Sequence, residues 1–183
     1  MAVNTDDKEI LELLQGDDTR EDGFVLLVKK YRHRLYWHIR RMVVIHDDAD
    51  DVLQNTFIKA WQGLSKFRQE SKLYTWLYRV ATNEALSFLN KAQRSRSIPF
   101  EDGGAELSHL VDISPQISGD EISRKLQKAV LMLPARQRLV FNMKYYDEMK
   151  YEEISEVLGT SVGGLKASYH LAVKKIEKQV LTD

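Results

Sequence analysis

Apolar residues recur every three or four positions along most of the chain, and this spacing predicts α-helices. No stretch of residues alternates strictly between apolar and polar, as a half-buried β-strand would. The helical spacing extends over these stretches: Phe24–Ile39, Leu53–Leu64, Trp76–Phe88, a segment that starts near Glu121 and breaks at Pro134, and Ala135–Tyr146. The pattern predicts an all-α protein.

One long segment lacks this period. Residues 92–120, AQRSRSIPFEDGGAELSHLVDISPQISGD, hold two of the three prolines and three of the nine glycines. Such a composition is typical of a linker. We therefore predict two small helical domains, residues 1–91 and 121–183, joined by a flexible acidic linker over residues 92–120.

Residues 152–175, EEISEVLGTSVGGLKASYHLAVKK, predict two helices that are separated by a short glycine-containing turn. Gly159 fits a helix C-cap with a positive φ angle, and Ser161 fits the N-cap of the next helix. This spacing is typical of a helix-turn-helix, although an ordinary helical hairpin with solvated lysines is an alternative. Gly163 and Gly164 favour the DNA-binding interpretation, because a bare first turn lets a helix approach base edges closely.

The second of these helices has two distinct faces when residues 162–180 are placed at 100° intervals. One face is apolar and predicted to be buried. It comprises Val162, Leu165, Tyr169, Ala172, Val173, Ile176 and Val180. The opposite face is predicted to be exposed, and it comprises Gly163, Gly164, Ala167, His170, Leu171, Lys174 and Lys178.

Asp47–Leu64 begins with a cluster of four aspartates and continues as an amphipathic helix. Asp51, Gln54 and Ile58 share a strip beside the apolar one, so we expect them to remain free. Acidic residues at a helix N-terminus also interact favourably with its dipole. We expect no metal site and no cofactor, because the four aspartates point in several directions and no second cluster completes a coordination shell.

Residues 66–83, KFRQESKLYTWLYRVATN, interleave basic and aromatic side chains. This combination suits single-stranded nucleic acid, whose phosphates attract positive charge and whose unstacked bases pack on aromatic rings. We assign Trp76 to the core instead. The basic stretch Lys29–Arg41 could equally face DNA or form a solvated helix surface.

The charges lie in blocks, although 27 basic and 27 acidic side chains give a net charge of zero. Residues 1–23 hold two basic and eight acidic side chains, whereas residues 24–46 hold six basic and no acidic ones. Basic blocks suggest contacts with a polyanion. The absence of cysteine excludes disulfides, zinc-thiolate sites and cysteine nucleophiles.

Neither an enzyme nor a membrane protein is expected from this chain. Its five histidines are scattered, and no carboxylate pair suited to acid–base catalysis and no glycine-rich phosphate loop appears. No apolar run approaches the roughly 20 residues that span a bilayer. The acidic N-terminus lacks the basic start and apolar stretch of a signal peptide, which predicts a cytoplasmic protein.

Two sets of motifs carry a family resemblance. The segment LPARQRLVFNMKYYDEMKYEEISEVLGTSVGGLKASYHLAVKKI resembles the C-terminal, promoter-reading domain of extracytoplasmic-function sigma factors of bacterial RNA polymerase. The segments FVLLVKKYRHRLYWHIRRMV, DDADDVLQNTFIKAWQGLSKFR and TWLYRVATNEALSFLNK are similar to successive elements of that family's N-terminal domain. The resemblance implies a subunit that binds core RNA polymerase, directs it to specific promoters and helps open the DNA.

The resemblance also assigns residues and partners. It implies core polymerase contacts by Asp48, Asp51, Gln54 and Ile58. It implies contacts with the downstream promoter element, including the melted non-template strand, by Arg68, Ser71, Lys72, Tyr74, Arg79 and Asn83. It implies contacts with the duplex upstream element by Ser161, Gly163, Gly164, Lys166, Ala167, His170 and Lys174. An anti-sigma factor is a further expected partner.

The reading helix departs from the family's commonest form, which carries arginines where this chain has Ser168, Leu171 and Val173, and a threonine in place of Gly164. We expect weaker phosphate anchoring by the isolated C-terminal domain and a greater dependence on polymerase. A stand-alone helix-turn-helix regulator that binds duplex DNA is the alternative function. In such a regulator the aspartate-rich helix and the aromatic-basic segment would have no role.

Overall fold

The computed structural model describes residues 6–67, 70–96 and 121–182, and all regular structure within these ranges is helical. The first part of the chain contains α1 (Asp7–Gln15), α2 (Arg20–Val43), α3 (His46–Gly63), a 3₁₀ turn (Leu64–Lys66) and α4 (Leu73–Arg96). The last part contains α5 (Glu121–Leu131), α6 (Ala135–Tyr145), α7 (Tyr151–Leu158) and α8 (Val162–Thr182). The predicted all-α class is confirmed.

The N-terminal domain packs α1, α3 and α4 around α2, while α3 also contacts α4. Its fully buried side chains include Leu27, Leu35 and Leu77, which recur at the predicted helical spacing. Gly23 permits the close crossing of α1 and α2, because a Cβ atom there would lie 2.9 Å from the Leu13 Cβ. The apolar stripes of the sequence therefore become the core of this domain.

The C-terminal domain places α8 against α5, α6 and α7. Ala172 and Ile176 of α8 are buried against Phe141 of α6, whose ring stacks on Tyr169 at a centroid distance of 5.7 Å. Arg138 of α6 is buried and donates to the carbonyl of Leu131 at 3.0 Å, and its burial lowers the pKa of the guanidinium. The predicted apolar face of α8 faces this core.

The two domains pack against each other, because α4 contacts α7 and α2 contacts α6. Met143, Met149 and Ile154 of the C-terminal domain are fully buried in the same apolar cluster as Leu35 and Leu77 of the N-terminal domain. One continuous core thus joins the domains, a placement that the helical periodicity did not predict.

Helix α4 continues to Arg96, through the first five residues of the segment predicted to be linker, 92–96. No glycine or proline interrupts AQRSR, so the helix has no local reason to stop before it. The predicted restart of helix near Glu121 is confirmed, since α5 begins there. Residues 97–120 lie outside the described part of the chain.

Glu148 adopts a positive φ of 55° in the turn between α6 and α7. The left-handed conformation costs an L-residue about 1–2 kcal/mol, whereas glycine adopts it freely. Because Glu148 is exposed, we expect Glu148→Gly to raise the free energy of unfolding by up to about 1 kcal/mol. Urea denaturation measures the change. Glu152→Gly in α7 is the control and should lower stability, and a loss of stability in Glu148→Gly would contradict the strain argument.

Candidate nucleic-acid and protein interfaces

The turn between α7 and α8 has the predicted caps. Gly159 ends α7 with a φ of 62°, and its N–H donates to the carbonyl of Ser155. The Ser161 hydroxyl accepts from the backbone N–H of Gly164 at 3.3 Å and so caps α8. Arg136 of α6 donates to the Thr160 hydroxyl at 3.2 Å, which ties the turn to the rest of the domain. Both capping predictions are confirmed.

The outer face of α8 is exposed as predicted. All the residues assigned to it are exposed, together with Lys166: Gly163, Gly164, Ala167, His170, Leu171, Lys174 and Lys178. A Cβ atom at Gly163 would meet nothing within 4 Å. Neither Gly163 nor Gly164 has a positive φ, so the backbone does not require glycine at either position. Gly163 therefore leaves the first turn bare without a structural need, which favours close approach to a partner, whereas a Cβ atom at Gly164 would lie 3.3 Å from the Ser161 hydroxyl.

One face of α4 combines positive charge, an amide and an aromatic ring. At 100° per residue, Trp76, Arg79 and Asn83 fall on the same side of this helix, and Lys72, which directly precedes α4, continues that side. We call these four residues the α4 face. Lys72 and Asn83 are exposed, while Trp76 and Arg79 are half-buried. The Arg79 Nε is buried and lacks a hydrogen-bond partner among the described residues.

An open pocket of about 840 Å³ adjoins this face. Phe67 and Trp76 supply aromatic surface, with ring centroids 5.0 Å apart. The remaining lining residues are polar or charged: Ser65, Lys66, Glu70, Ser71, Arg79 and Glu156. An aromatic wall beside hydrogen-bonding groups is suited to a single unstacked base. Trp76 packs against the core, as predicted, and also lines the pocket.

The structure brings only some of the predicted downstream residues together. Ser71 and Arg79 line the pocket, and Lys72 and Asn83 extend the α4 face. Tyr74 lies on the other side of the helix, 4.6 Å from the ring of Tyr78, with Arg34 above its ring. Burial raises the pKa of its phenol. Arg68 lies outside the described residues.

A groove between α2 and α3 contains three of the four residues predicted to bind polymerase. Asp51, Gln54 and Ile58 line it, and Ile58 is 48% exposed. The floor is apolar and was not anticipated from the sequence. The other lining residues are Phe24, Val28, Arg32, Asp50, Leu53, Phe57 and Trp61. Phe24, Phe57 and Trp61 belong to the apolar stripes of the two helices. The helical spacing does not show that they meet at an open groove.

The end of this groove is fixed by aromatic contacts. Phe24 packs edge-on against Trp61 at 5.0 Å, and the Arg20 guanidinium lies 4.6 Å above the Trp61 ring. Arg20 also donates to the Trp61 carbonyl at 3.3 Å. Asp48 is half-buried and has a partner of its own, and it does not line the groove. The groove thus offers an apolar floor with carboxylate and amide groups at its edge.

A buried polar cluster connects the two domains, and we call it the Asp147 cluster. Asp147 precedes α7, and its carboxylate contacts two residues of α2. His38 Nδ1 lies 2.7 Å from Oδ2 of Asp147, and the Arg41 guanidinium donates to Oδ1 at 3.0 Å. Because a carboxylate can only accept, the proton of His38 is on Nδ1. His38 is fully buried, and its Nε2 lies 3.0 Å from the Thr82 hydroxyl of α4.

The basic stretch of α2 is divided among several roles. Lys30 pairs with Asp7 at 2.7 Å, Arg40 is buried, and Arg41 belongs to the Asp147 cluster. Lys29 and Arg32 are exposed. From the sequence we considered only DNA contact or a solvated surface for this stretch. The structure adds a third role, because some of its basic residues contact other parts of the protein. Within the described ranges, no group of three potential ligands could hold a metal ion.

Comparisons with known proteins agree with this division of the chain. A model of sigma-70 region 2 matches residues 27–95, and a model of sigma-70 region 4 matches residues 123–176. The RNA polymerase sigma-H factor of Pseudomonas aeruginosa is 34% identical over 188 residues, which cover 97% of this chain and 95% of that protein. The ECF RNA polymerase sigma factor SigW of Bacillus subtilis is 31% identical, and the matched region covers 94% of this chain and 95% of SigW. The chain belongs to the extracytoplasmic-function sigma factors.

Solved structures share the fold of this sigma factor. CnrH, in complex with the cytosolic domain of CnrY, superposes with a TM-score of 0.71 at 22% identity, covering 97% of this chain and 99% of CnrH. RpoE from Bartonella quintana, in complex with the anti-sigma factor NepR, gives a TM-score of 0.67 at 22% identity, with 87% and 98% covered. The resemblance found in the sequence motifs is confirmed.

The glycines of α8 give a prediction that separates stability from function. Gly163→Ala should raise the free energy of unfolding by up to about 1 kcal/mol, because alanine favours helix and the new methyl group meets open space. Gly164→Ala should raise the free energy of unfolding by less, since the new Cβ would lie 3.3 Å from the Ser161 hydroxyl. Thermal denaturation measures both changes.

Transcription from promoters with an intact upstream element should fall in both variants, because a methyl group in the first turn of α8 would crowd the edge of the DNA major groove. Promoters that depend mainly on the downstream element serve as the control. Unchanged transcription at every promoter in a stabilised Gly163→Ala protein would show that the glycine is not needed for DNA approach.

Proposed function

We propose that this sigma factor binds core RNA polymerase through the groove between α2 and α3, reads the upstream promoter element with α8, and holds the opened downstream element on the α4 face. The observation that carries the proposal is the alignment of Lys72, Arg79 and Asn83 on one face of α4 beside an aromatic-walled pocket. A regulator that bound only duplex DNA would have no use for that pocket.

The groove is suited to a protein partner rather than to DNA. It joins an apolar floor to the carboxylates of Asp50 and Asp51, and a half-exposed Ile58 stands at its edge. These two carboxylates outnumber the single guanidinium of Arg32 and disfavour a nucleic acid. An apolar centre with a polar rim is instead characteristic of protein interfaces. We infer that a basic helical surface of the polymerase docks there. Asp48 would act from outside the groove.

The α4 face supplies what a melted strand requires. Phosphates would interact with Lys72 and Arg79, a flipped base would stack beside Trp76, and the exposed amide of Asn83 would offer a donor and an acceptor. Unstacking a base costs a few kcal/mol, which the pocket contacts would offset. Ser71 adds a hydroxyl to the pocket wall. Tyr74 would reach the strand only after moving away from Tyr78.

Reading by α8 would rely on close approach more than on charge. Ser161 caps the helix, while Gly163, Gly164 and Ala167 leave its first turns bare. Lys166, His170 and Lys174 provide the basic groups on the exposed side. A helix with few phosphate contacts binds DNA weakly on its own. We therefore infer that upstream recognition depends on prior assembly with polymerase.

In the packed arrangement, α4 and α8 cannot contact the two promoter elements at the same time. The family's element spacing of about 16 base pairs corresponds to roughly 55 Å. Helix α7 contacts both α4 and α8. Because the axes of helices in contact are 8–10 Å apart, α8 lies at most roughly 20 Å from α4 near α7. The domains, which we place at residues 1–91 and 121–183, must therefore separate. Of the proposed linker, residues 92–120, the part that follows α4 (97–120) would by itself span up to about 80 Å when extended.

We further propose an anti-sigma factor as a regulatory partner, on the analogy of CnrH with CnrY and of RpoE with NepR. The chain would act as a transcription initiation subunit without catalysing a reaction itself, and we place it in the cytoplasm. Within the described ranges, no helix is both long and apolar enough to cross a membrane.

Run-off transcription with purified core polymerase tests the function directly, and Arg79→Ala tests the strand-holding role. We expect promoter-specific transcripts from the wild type. On a duplex promoter, the Arg79→Ala variant should produce about tenfold less transcript. A template with a pre-opened bubble should restore most of that activity, because melting is then no longer required. Lys91→Ala, on another side of α4, is the matched control. Equal loss on both templates would contradict the role in melting.

Docking on the groove is tested by Asp51→Arg, which places a positive charge where we expect a basic partner surface. We expect the affinity for core polymerase to fall about tenfold or more, because like charges at an interface are strongly unfavourable. The free energy of unfolding should stay within about 0.5 kcal/mol, since Asp51 is exposed. Fluorescence titration with labelled polymerase measures the affinity, and Glu12→Arg on α1 controls for the charge change. An unchanged affinity would rule out this docking site.

A further inference from the structure

Leu171 is a large apolar side chain on the outer, basic side of α8, and it is 49% exposed. Its neighbours on the helix surface, three and four positions away, are Ala167, Ser168, Lys174 and Lys175. None of these four is a large apolar residue, so no neighbour on α8 covers the leucine. Leu171 therefore presents an apolar surface to a partner that approaches α8 from outside.

Leu171 continues a row of side chains that increase in size along α8. Gly163, Ala167 and Leu171 are spaced four positions apart on one side of the helix, and all three are exposed. The first and last of them are about 12 Å apart along the axis, which is roughly the width of the major groove. A helix that enters the groove with its first turn and then tilts away would keep contact along this row, because the longest side chain stands where the backbone is farthest from the bases.

A leucine at this position selects a different base from a basic side chain. In the major groove, guanine presents two acceptors that arginine or lysine binds, whereas thymine presents a methyl group on C5. Helix α8 contains no arginine, and the Lys166 ammonium lies 5.8 Å above the ring of Tyr151 on α7. Since leucine has no donor or acceptor, the thymine methyl group is the feature of a base edge that matches it.

The charges around Leu171 favour duplex DNA as the partner. Helix α8 contains four lysines and a single acidic residue, Glu177. Lys174 and Lys175, on the turn after Leu171, are both exposed. In a duplex, phosphates line both edges of the major groove, and the thymine methyl groups lie between them. An exposed leucine with lysines beside it thus complements a groove that contains thymine.

We propose that Leu171, together with Ala167, determines the upstream sequence that this sigma factor reads, by packing on thymine methyl groups in the major groove. The inference rests on the proposed reading of the upstream element by α8, and it specifies A·T pairs at the positions that face these two residues. A G·C pair there would place the cytosine amino group against leucine, where it finds no acceptor.

Deoxyuridine tests the methyl contact directly, because its base pairs as thymine does and lacks only the C5-methyl group. Holoenzyme is assembled from purified core polymerase and the full-length chain, on a promoter that it transcribes. Each thymine of the upstream element is replaced in turn, and competition binding measures the change in affinity. For the wild type we expect a loss of about threefold to fourfold at one or more thymines, the factor that corresponds to burial of one methyl group.

Leu171→Ala removes the apolar contact and preserves the helix, since alanine favours helix and Leu171 is not buried in the core. At the thymine that contacts Leu171, this variant should lose most of the difference between thymine and deoxyuridine. Leu181→Ala is the matched control, because Leu181 is 86% exposed near the end of the same helix, and it should respond like the wild type. Leu171→Arg should instead select guanine from promoters randomised in the upstream element.

Full tolerance of deoxyuridine at every upstream thymine by the wild-type holoenzyme would overturn the proposal. Equal sensitivity of Leu171→Ala and the wild type would overturn the role of Leu171. A weaker affinity of Leu171→Ala for core polymerase, with an unchanged response to deoxyuridine, would show that the leucine contacts protein instead. Failure of the wild type to produce promoter-specific transcripts would count against the proposed function, so the two inferences can fail separately.

Discussion

The apolar contact between α4 and α7 determines how the rest of this sigma factor is arranged. Helix α7 has eight residues, fewer than an isolated helix needs to be stable in water. It is held by α8 on one side and by α4 on the other, and Ile154 is fully buried in the shared core. Separating the domains would expose this apolar surface to water, which is unfavourable. A partner that opens the chain must compensate with contacts of its own.

The charge blocks of the sequence serve partly to hold the fold together. The basic block of α2 suggested a polyanion partner, yet Lys30 pairs with Asp7 of α1, and Arg41 pairs with Asp147 of the other domain. Glu153 of α7 pairs with Lys72, which directly precedes α4. Opposite charges that are distant in the sequence thus neutralise one another inside the molecule. The surfaces that we propose for DNA, the α4 face and the bare first turns of α8, are narrower than the charge blocks of the sequence suggest.

Much of the fold could be predicted from the sequence, because local signals specify it. The spacing of Leu27, Leu35 and Leu77 within their stripes identified the buried faces, and Gly159 and Ser161 identified the turn before α8. Each of these signals depends on residues within a few positions of one another. The strip of Asp51, Gln54 and Ile58 was equally predictable, since helical geometry alone places these residues together.

The tertiary structure alone decided what those surfaces face. His38 and Asp147 are 109 positions apart, and no periodicity relates residues at such a separation. The same holds for Glu156 beside Arg79, and for the aromatic floor that α2 adds to the groove on α3. The sequence determined which residues are exposed on each helix. Only the packing of the helices decided which exposed residues meet, because that choice depends on shape and charge across the entire core.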